Sequence, residues 1–195
     1  LEDISLQTVQ PQAVIIVDGD PASGEVLHML STIELPRDWR IVYLPSNHGN
    51  LAYQRYLGWR AAVNAGADIL IYFDDDQRIY QRDVLEWLAK PLLDTNGVVG
   101  VGCYSRVPES GSDPAMAHLV QKKKSHWLVK QFGSQRTLKL KPGQLTPVGH
   151  RVGLIDNGCD YVVTDWLQGR VMAYRMSAIS QETFSEDLFA LYEFR

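Results

Sequence analysis

Between residues 13 and 104, four short apolar runs alternate with three helical patterns, and that order restricts the fold more than any other feature of the chain. The runs are AVIIVD at 13–18, RIVYL at 40–44, DILIYF at 68–73 and GVVGVGCY at 97–104. Short stretches rich in β-branched and aromatic residues, closed by turn formers, read as strands. DILIYF is apolar from Ile69 onward, the pattern of a strand covered on both faces. PASGEVLHMLSTI places Val26, Leu27, Leu30 and Ile33 on one helical face. NLAYQRYLGWRAAVNAG carries Ala52, Tyr56, Trp59 and Val63 at i, i+4, i+7 and i+11, with Gly66 where a left-handed cap ends a helix. RDVLEWLAKPLL turns Val84, Leu88 and Leu92 inward. Strand and helix in strict alternation predict an α/β fold, a mostly parallel sheet flanked by helices on both faces.

A chain of 195 residues suffices for one domain with a sizeable core. Its 45% hydrophobic and 22% charged residues are those of an ordinary globular protein. A net charge of -4 offers no electrostatic footprint for nucleic acid, so no nucleic-acid partner is expected. No apolar run approaches the roughly 18 residues of a membrane span. LEDISLQTVQ has neither the basic start nor the apolar middle of a signal peptide. The first residue is Leu1 rather than Met, which suggests a processed form or an excised domain. Two cysteines, Cys103 and Cys159, are too few for a disulfide framework or a cysteine zinc site. Reduced thiols in a cytoplasmic protein are the plain expectation, with peripheral attachment to a membrane as a variant.

After Tyr104 the pattern loosens. Residues 105–150 hold Pro108, Pro114, Pro142 and Pro147 with several glycines. QKKKSHWLVKQ at 121–131 is the one basic cluster, read as a solvated helix face before an acidic partner or membrane surface. Order returns with DYVVTDWLQGRVMAYRMSAI and ends in FSEDLFALYEFR. No repeat or linker interrupts the chain, so one domain spans 1–195, with the regular alternation in 1–104 and the looser pattern in 105–195.

The third run ends in three aspartates, Asp74, Asp75 and Asp76. Two carboxylates roughly 5 Å apart at an effective dielectric near 20 repel by about 3 kcal/mol. Water relieves that in a solvated acidic turn; a cation relieves it in a binding site. In parallel α/β sheets ligands sit beyond the carboxyl ends of strands, where the trio lies and where Asp18 also lies. Two acidic strand ends suit a hard divalent ion with oxygen ligands, Mn2+ or Mg2+, which takes one or two carboxylates and completes its shell with phosphate and water.

The order of these pieces resembles a known family. QTVQPQAVIIVDGDPAS, NHGNLAYQRYLGWRAAVNAGADILIYFDDDQ, DWLQGRVMAYR and SEDLFALYEFR together resemble a family 2 glycosyltransferase of the GT-A fold, from about residue 5 to the end. The resemblance implies that 1–104 is the nucleotide-sugar-binding half and 105–195 the acceptor-side half, and that Asp18 contacts the nucleoside of a nucleotide-sugar donor. Asp74 and Asp76 match the ends of an Asp-x-Asp motif that binds the donor diphosphate through a Mn2+ or Mg2+ ion, with Asp75 beside them. Arg55 matches a basic position where a phosphate or nucleoside contact fits. Gly169 matches the glycine after an acceptor-side loop, and Trp166 sits where an aromatic could stack on an acceptor sugar. His48 and His150 are weaker candidates for assisting pyrophosphate departure. The family opens with a strand that this sequence does not contain, so the resemblance implies a sheet with one open position.

The general base belongs to an acidic pair, and SEDLFALYEFR aligns with it in two ways. In one, Glu186 and Asp187 are the pair, opening a helix capped by Ser185. In the other, Phe194 replaces the expected aspartate and leaves Glu193 alone. The first keeps both carboxylates, although acidic residues in a first turn also suit the helix dipole. The implied reaction is transfer of a sugar, hexosyltransferase in type, from a nucleoside-diphosphate donor, UDP-linked by preference. The acceptor is a hydroxyl of a glycan, a lipid-linked saccharide or a protein, and Asp187 takes its proton in an inverting displacement. Other readings are a nucleotidyltransferase making nucleotide sugars, a haloacid-dehalogenase-like phosphatase, and a non-catalytic sugar-nucleotide or glycan-binding module. The first lacks a glycine-rich phosphate loop here, and the second needs its nucleophile after the first strand.

Overall fold

A computed structural model describes residues 1–103, 161, 163–165, 167 and 170–184. Inter-residue contacts divide the chain into a unit of Leu1–Cys103 with Gly169–Arg195 and a unit of Tyr104–Gln168. In the second unit, Tyr161 and Val163 are exposed. Every described helix and strand lies in the first.

That unit opens with a short helix, α1 (Glu2–Ser5), and the strand β1 (Ala13–Asp18). After a 3₁₀ turn, Gly24 takes a left-handed conformation and starts α2 (Glu25–Thr32), with Glu25 placed in its first turn where the helix dipole favours an acid. Next come β2 (Arg40–Pro45), α3 (Leu51–Asn64), β3 (Ile69–Phe73), α4 (Val84–Asp94) and β4 (Gly100–Gly102). The strand β5 (Val171–Arg175) follows the second unit.

β1 and β2 form a parallel pair, Ala13 opposite Arg40 through to Asp18 opposite Pro45. β3, β5 and β4 form a second sheet, with β5 between the other two and antiparallel to both. The parallel pairing expected from the alternation holds for β1 and β2. The reversed β5 is an addition to the expected pattern, because it returns to the sheet from outside the alternating region. Among the described residues β1 ladders with β2 and β3 with β5, and no ladder joins the two sheets.

The core lies under α4. Leu88 and Leu92 pack with Val171 and Ala173 of β5, and Ile69, Ile71, Phe73, Val84, Val98 and Val101 close around them. Ala173 is 0% exposed and Leu92 1%, as the central strand and the inner helix face require. Pro91 interrupts the backbone ladder of α4 without ending the helix, since Leu88 and Leu92 on either side are both fully packed. The α4 carbonyl end is met by Arg175, whose guanidinium donates to Leu92 O and, at 3.2 Å, to Thr95 O. A cation there satisfies carbonyls that the helix itself cannot.

α3 is capped at both ends, the second at the glycine its sequence predicts. Asn50 accepts from the Tyr53 N–H at 3.1 Å. At the other end Gly66, at φ 69, lets Gly66 N donate to Val63 O and Ala67 N to Ala62 O, a Schellman closure. The inner face differs from the predicted one. Gly58 and Ala62 are the buried residues, whereas Val63 is 49% exposed. A Cβ on Gly58 would lie 3.8 Å from both Val17 of β1 and Tyr72 of β3, so the smallest residues face both sheets. Tyr56 and Trp59 instead stack on each other and against Phe184. Leu27 of α2 is likewise exposed, while Val26, Leu30 and Ile33 are half-buried.

Candidate active site at the strand ends

The last residue of β1 is built into the fold. Asp18 is 5% exposed. Its Oδ1 accepts from the Asp20 N–H at 2.9 Å, a local turn, and its Oδ2 accepts from the Tyr43 hydroxyl at 2.8 Å. The Asp18 carboxylate favours a protonated phenol and so raises the Tyr43 pKa. Its backbone carbonyl accepts from Ser46 N at 2.7 Å, extending the parallel ladder one step. Ser46 is buried, donates to His48 O at 2.8 Å and accepts from His48 N at 3.2 Å, which shapes the turn leading to the Asn50 cap.

The first turns of α3 touch both strand ends. Gln54 packs so tightly on Gly19 that a Cβ there would come within 2.1 Å of its amide nitrogen. The next residue, Arg55, donates through Nη2 to Asp74 Oδ1 at 3.0 Å. The same guanidinium lies 5.8 Å from the Tyr72 ring centroid, and the Tyr72 hydroxyl donates to Arg55 O at 2.9 Å. Burial pushes the Tyr72 and Tyr174 phenols up in pKa, so both stay neutral donors beside the ion pair. One helix therefore ties the Asp18 end of β1 to the Asp74 end of β3.

Asp74 is half-buried, and its N–H donates to Arg170 O at 3.0 Å. Gln77 N donates back to Asp74 O at 3.1 Å, closing a turn with Asp75 and Asp76 exposed at its tip. Asp76 accepts from the Gln77 side chain. Among the described residues no three His, Cys, Asp or Glu side chains converge into a metal cage. The donor set nevertheless suits a hard ion that supplies part of its own shell, since such an ion needs one or two carboxylates and takes phosphate and water for the rest. A carboxylate has two oxygens, so Asp74 can accept from Arg55 through one and still offer the other.

Of the residues predicted from sequence, Asp18, Asp74, Asp75 and Asp76 lie at these strand ends and Arg55 on the helix that links them. His48 is exposed in the turn before α3, its ring 5.2 Å from that of Tyr53. His150, Trp166, Gly169, Glu186, Asp187 and Glu193, with the basic cluster at 121–131, lie outside the described residues. Tyr43, Gln54 and Tyr72 are contributors that sequence reasoning missed. For Tyr43 the signal was the register: it pairs with Ile16, and residues two apart share a face, which puts it on the side of Asp18.

Comparison with known proteins bears on this site at one level. The family model described as Glycosyl transferase family 2 matches residues 1–159. No curated protein and no solved structure matches the chain. Among the described residues no helix is long and apolar enough to cross a membrane. With most of its length matched by that model, and with acidic strand ends bridged by one helix, the chain belongs to glycosyltransferase family 2 and has the GT-A fold that the family implies.

Proposed function

We propose that this glycosyltransferase moves a sugar from a nucleoside-diphosphate donor, UDP-linked by preference, to an acceptor hydroxyl, inverting the anomeric configuration and depending on Mn2+ or Mg2+. The observation that carries the reading is that α3 joins the Gly19 turn just after Asp18 to Asp74, through Gln54 and Arg55. Ligands of α/β sheets bind beyond such strand ends. Asp18, held by Tyr43, receives the nucleoside, and Asp75 its ribose. Arg55 orients Asp74 and adds positive charge where a diphosphate must sit. Asp76 and Asp74 are the residues that would hold the ion, whose chemistry when bound is to neutralise charge on the departing diphosphate. Asp187, next to Glu186, takes the proton from the acceptor hydroxyl as its oxygen attacks. Trp166 and Gly169 form the acceptor side. The acceptor is a glycan, a lipid-linked saccharide or a protein, and the enzyme works in the cytoplasm in polysaccharide or glycoconjugate synthesis.

Thermal-shift measurements over a panel of nucleotide sugars, with and without Mn2+, followed by donor-hydrolysis and transfer assays, test this directly. Stabilisation by a UDP-sugar that requires Mn2+ and is abolished by Asp76→Asn is the expected result. Metal-dependent binding without turnover would identify a binding module instead. Release of pyrophosphate from a nucleoside triphosphate would identify a nucleotidyltransferase.

A further inference from the structure

Ten residues, 74–83, carry the acidic trio from β3 to α4 without forming helix or strand. Backbone polar groups in such a stretch need partners from elsewhere. The first eight residues of the chain supply several. Thr8 N donates to Arg82 O at 2.6 Å. The buried side chain of Gln7 donates to Gln81 O at 2.8 Å and Asp3 O at 3.2 Å, and accepts from Leu85 N at 3.2 Å. Asp3 accepts from Ile79 N at 3.0 Å.

Asp3 also takes hold of a charge. Its two oxygens accept from Arg78 Nε at 2.7 Å and Nη2 at 3.0 Å, a forked pair. Bonded to Arg78 first and Ile79 second, Asp3 is held at a pKa of about 2, so it is ionised at neutral pH. Arg78 stands two residues beyond Asp76, at most about 7 Å of backbone and within reach of an arginine side chain. Arg55 already pairs with Asp74, and without Asp3 the Arg78 guanidinium would be a second counter-charge free to turn to the exposed Asp75 and Asp76.

We propose that Asp3 is a positioning residue that withholds Arg78 from the acidic trio, so that the trio's charge stays available to a divalent cation. The inference rests on the reading of the trio as the cation site. It gives the helix ahead of β1 an indirect role, through the placement of charge beside the trio. One positive charge about 6 Å from a divalent ion, at the dielectric of water, opposes its binding by about tenfold.

The test is the gain in UDP affinity on adding Mn2+, measured by titration calorimetry. Asp3→Ala is expected to cut the gain about tenfold without lowering metal-free UDP affinity. Asp3→Asn keeps an acceptor for Ile79 N–H and should guard against simple loss of folding, with a smaller effect in the same direction. Arg78→Gln alone is expected to leave the gain intact or raise it, and Asp3→Ala with Arg78→Gln to restore it. A double variant as weak as Asp3→Ala means that Asp3 only anchors the loop, and overturns the proposal, as does an unchanged gain in Asp3→Ala. If the unaltered protein shows no Mn2+-dependent gain, the cation reading itself falls and takes this inference with it.

Discussion

Arg55 of α3 donates to the carboxylate of Asp74 at 3.0 Å, across nineteen positions of sequence, and so fixes the first residue of the acidic trio against the helix that also covers Gly19. Both partners are partly exposed, so the pair contributes about 0–1 kcal/mol to stability. Its value is positional: one Nη2–Oδ1 bond from a planar guanidinium lying by the Tyr72 ring orients the carboxylate.

Arg55→Met is therefore expected to lower donor affinity by about tenfold or more, on the scale of losing a charge-assisted contact, with little change in melting temperature. Arg55→Lys should recover only part of it, because an ammonium keeps the charge and loses the planar geometry. Donor titration alongside thermal unfolding checks both halves.

The two alignments of the C-terminal motif make opposite predictions. With Asp187 as base, Asp187→Asn lowers kcat by roughly 10²–10⁴-fold, the usual worth of a general base, with donor binding retained. Glu193→Gln should then be close to unaltered. Full activity in Asp187→Asn together with loss in Glu193→Gln would transfer the role to Glu193.

Acid should destabilise the fold through Asp3. Its folded pKa is depressed to about 2 by Arg78 and Ile79 N–H. A depressed carboxyl stabilises the fold above its unfolded pKa of roughly 4, and that contribution is lost as pH falls from about 4 towards 2. Asp3→Asn should flatten the stability profile across that window while leaving its shape above about pH 5 unchanged, as denaturant midpoints would show.

Leu92 is 1% exposed and packs between α4 and β5. Leu92→Ala should cost about 2–5 kcal/mol in chemical denaturation, the range for a buried large-to-small change that leaves a cavity. A loss under about 1 kcal/mol would mean that this core is not packed as described.

Gly58 makes the opposite case. A Cβ there meets Val17 and Tyr72 at ordinary van der Waals distance. Alanine is favoured over glycine in a helix interior by up to about 1 kcal/mol. Gly58→Ala is expected to raise stability by up to that amount, and a larger side chain to lower it, because α3 lies close to both sheets here.

How far the sequence was legible follows the range of the forces involved. β1 at Ala13–Asp18 and α3 from Asn50 to Gly66 were readable because strand runs, caps and left-handed glycines are encoded within a few residues. The placement of Asp18 and the aspartate trio at strand ends was readable for the same reason. The exposed Val63 and buried Gly58 show the limit: a helical stripe of apolar residues does not say which face a sheet approaches closely enough to demand glycine.

Local pattern alone thus established the strand and helix segments, their stops and the acidic residues that end two strands. Only the folded chain decided that VMAYR runs antiparallel between β3 and β4, that Arg55 meets Asp74, that Tyr43 holds Asp18, and that Asp3 takes Arg78. Those partners lie between 19 and about 100 residues apart along the chain. Propensity and periodicity act over one or two turns, whereas such pairings are selected by which surfaces the sheets bury and which backbone groups they leave to be satisfied.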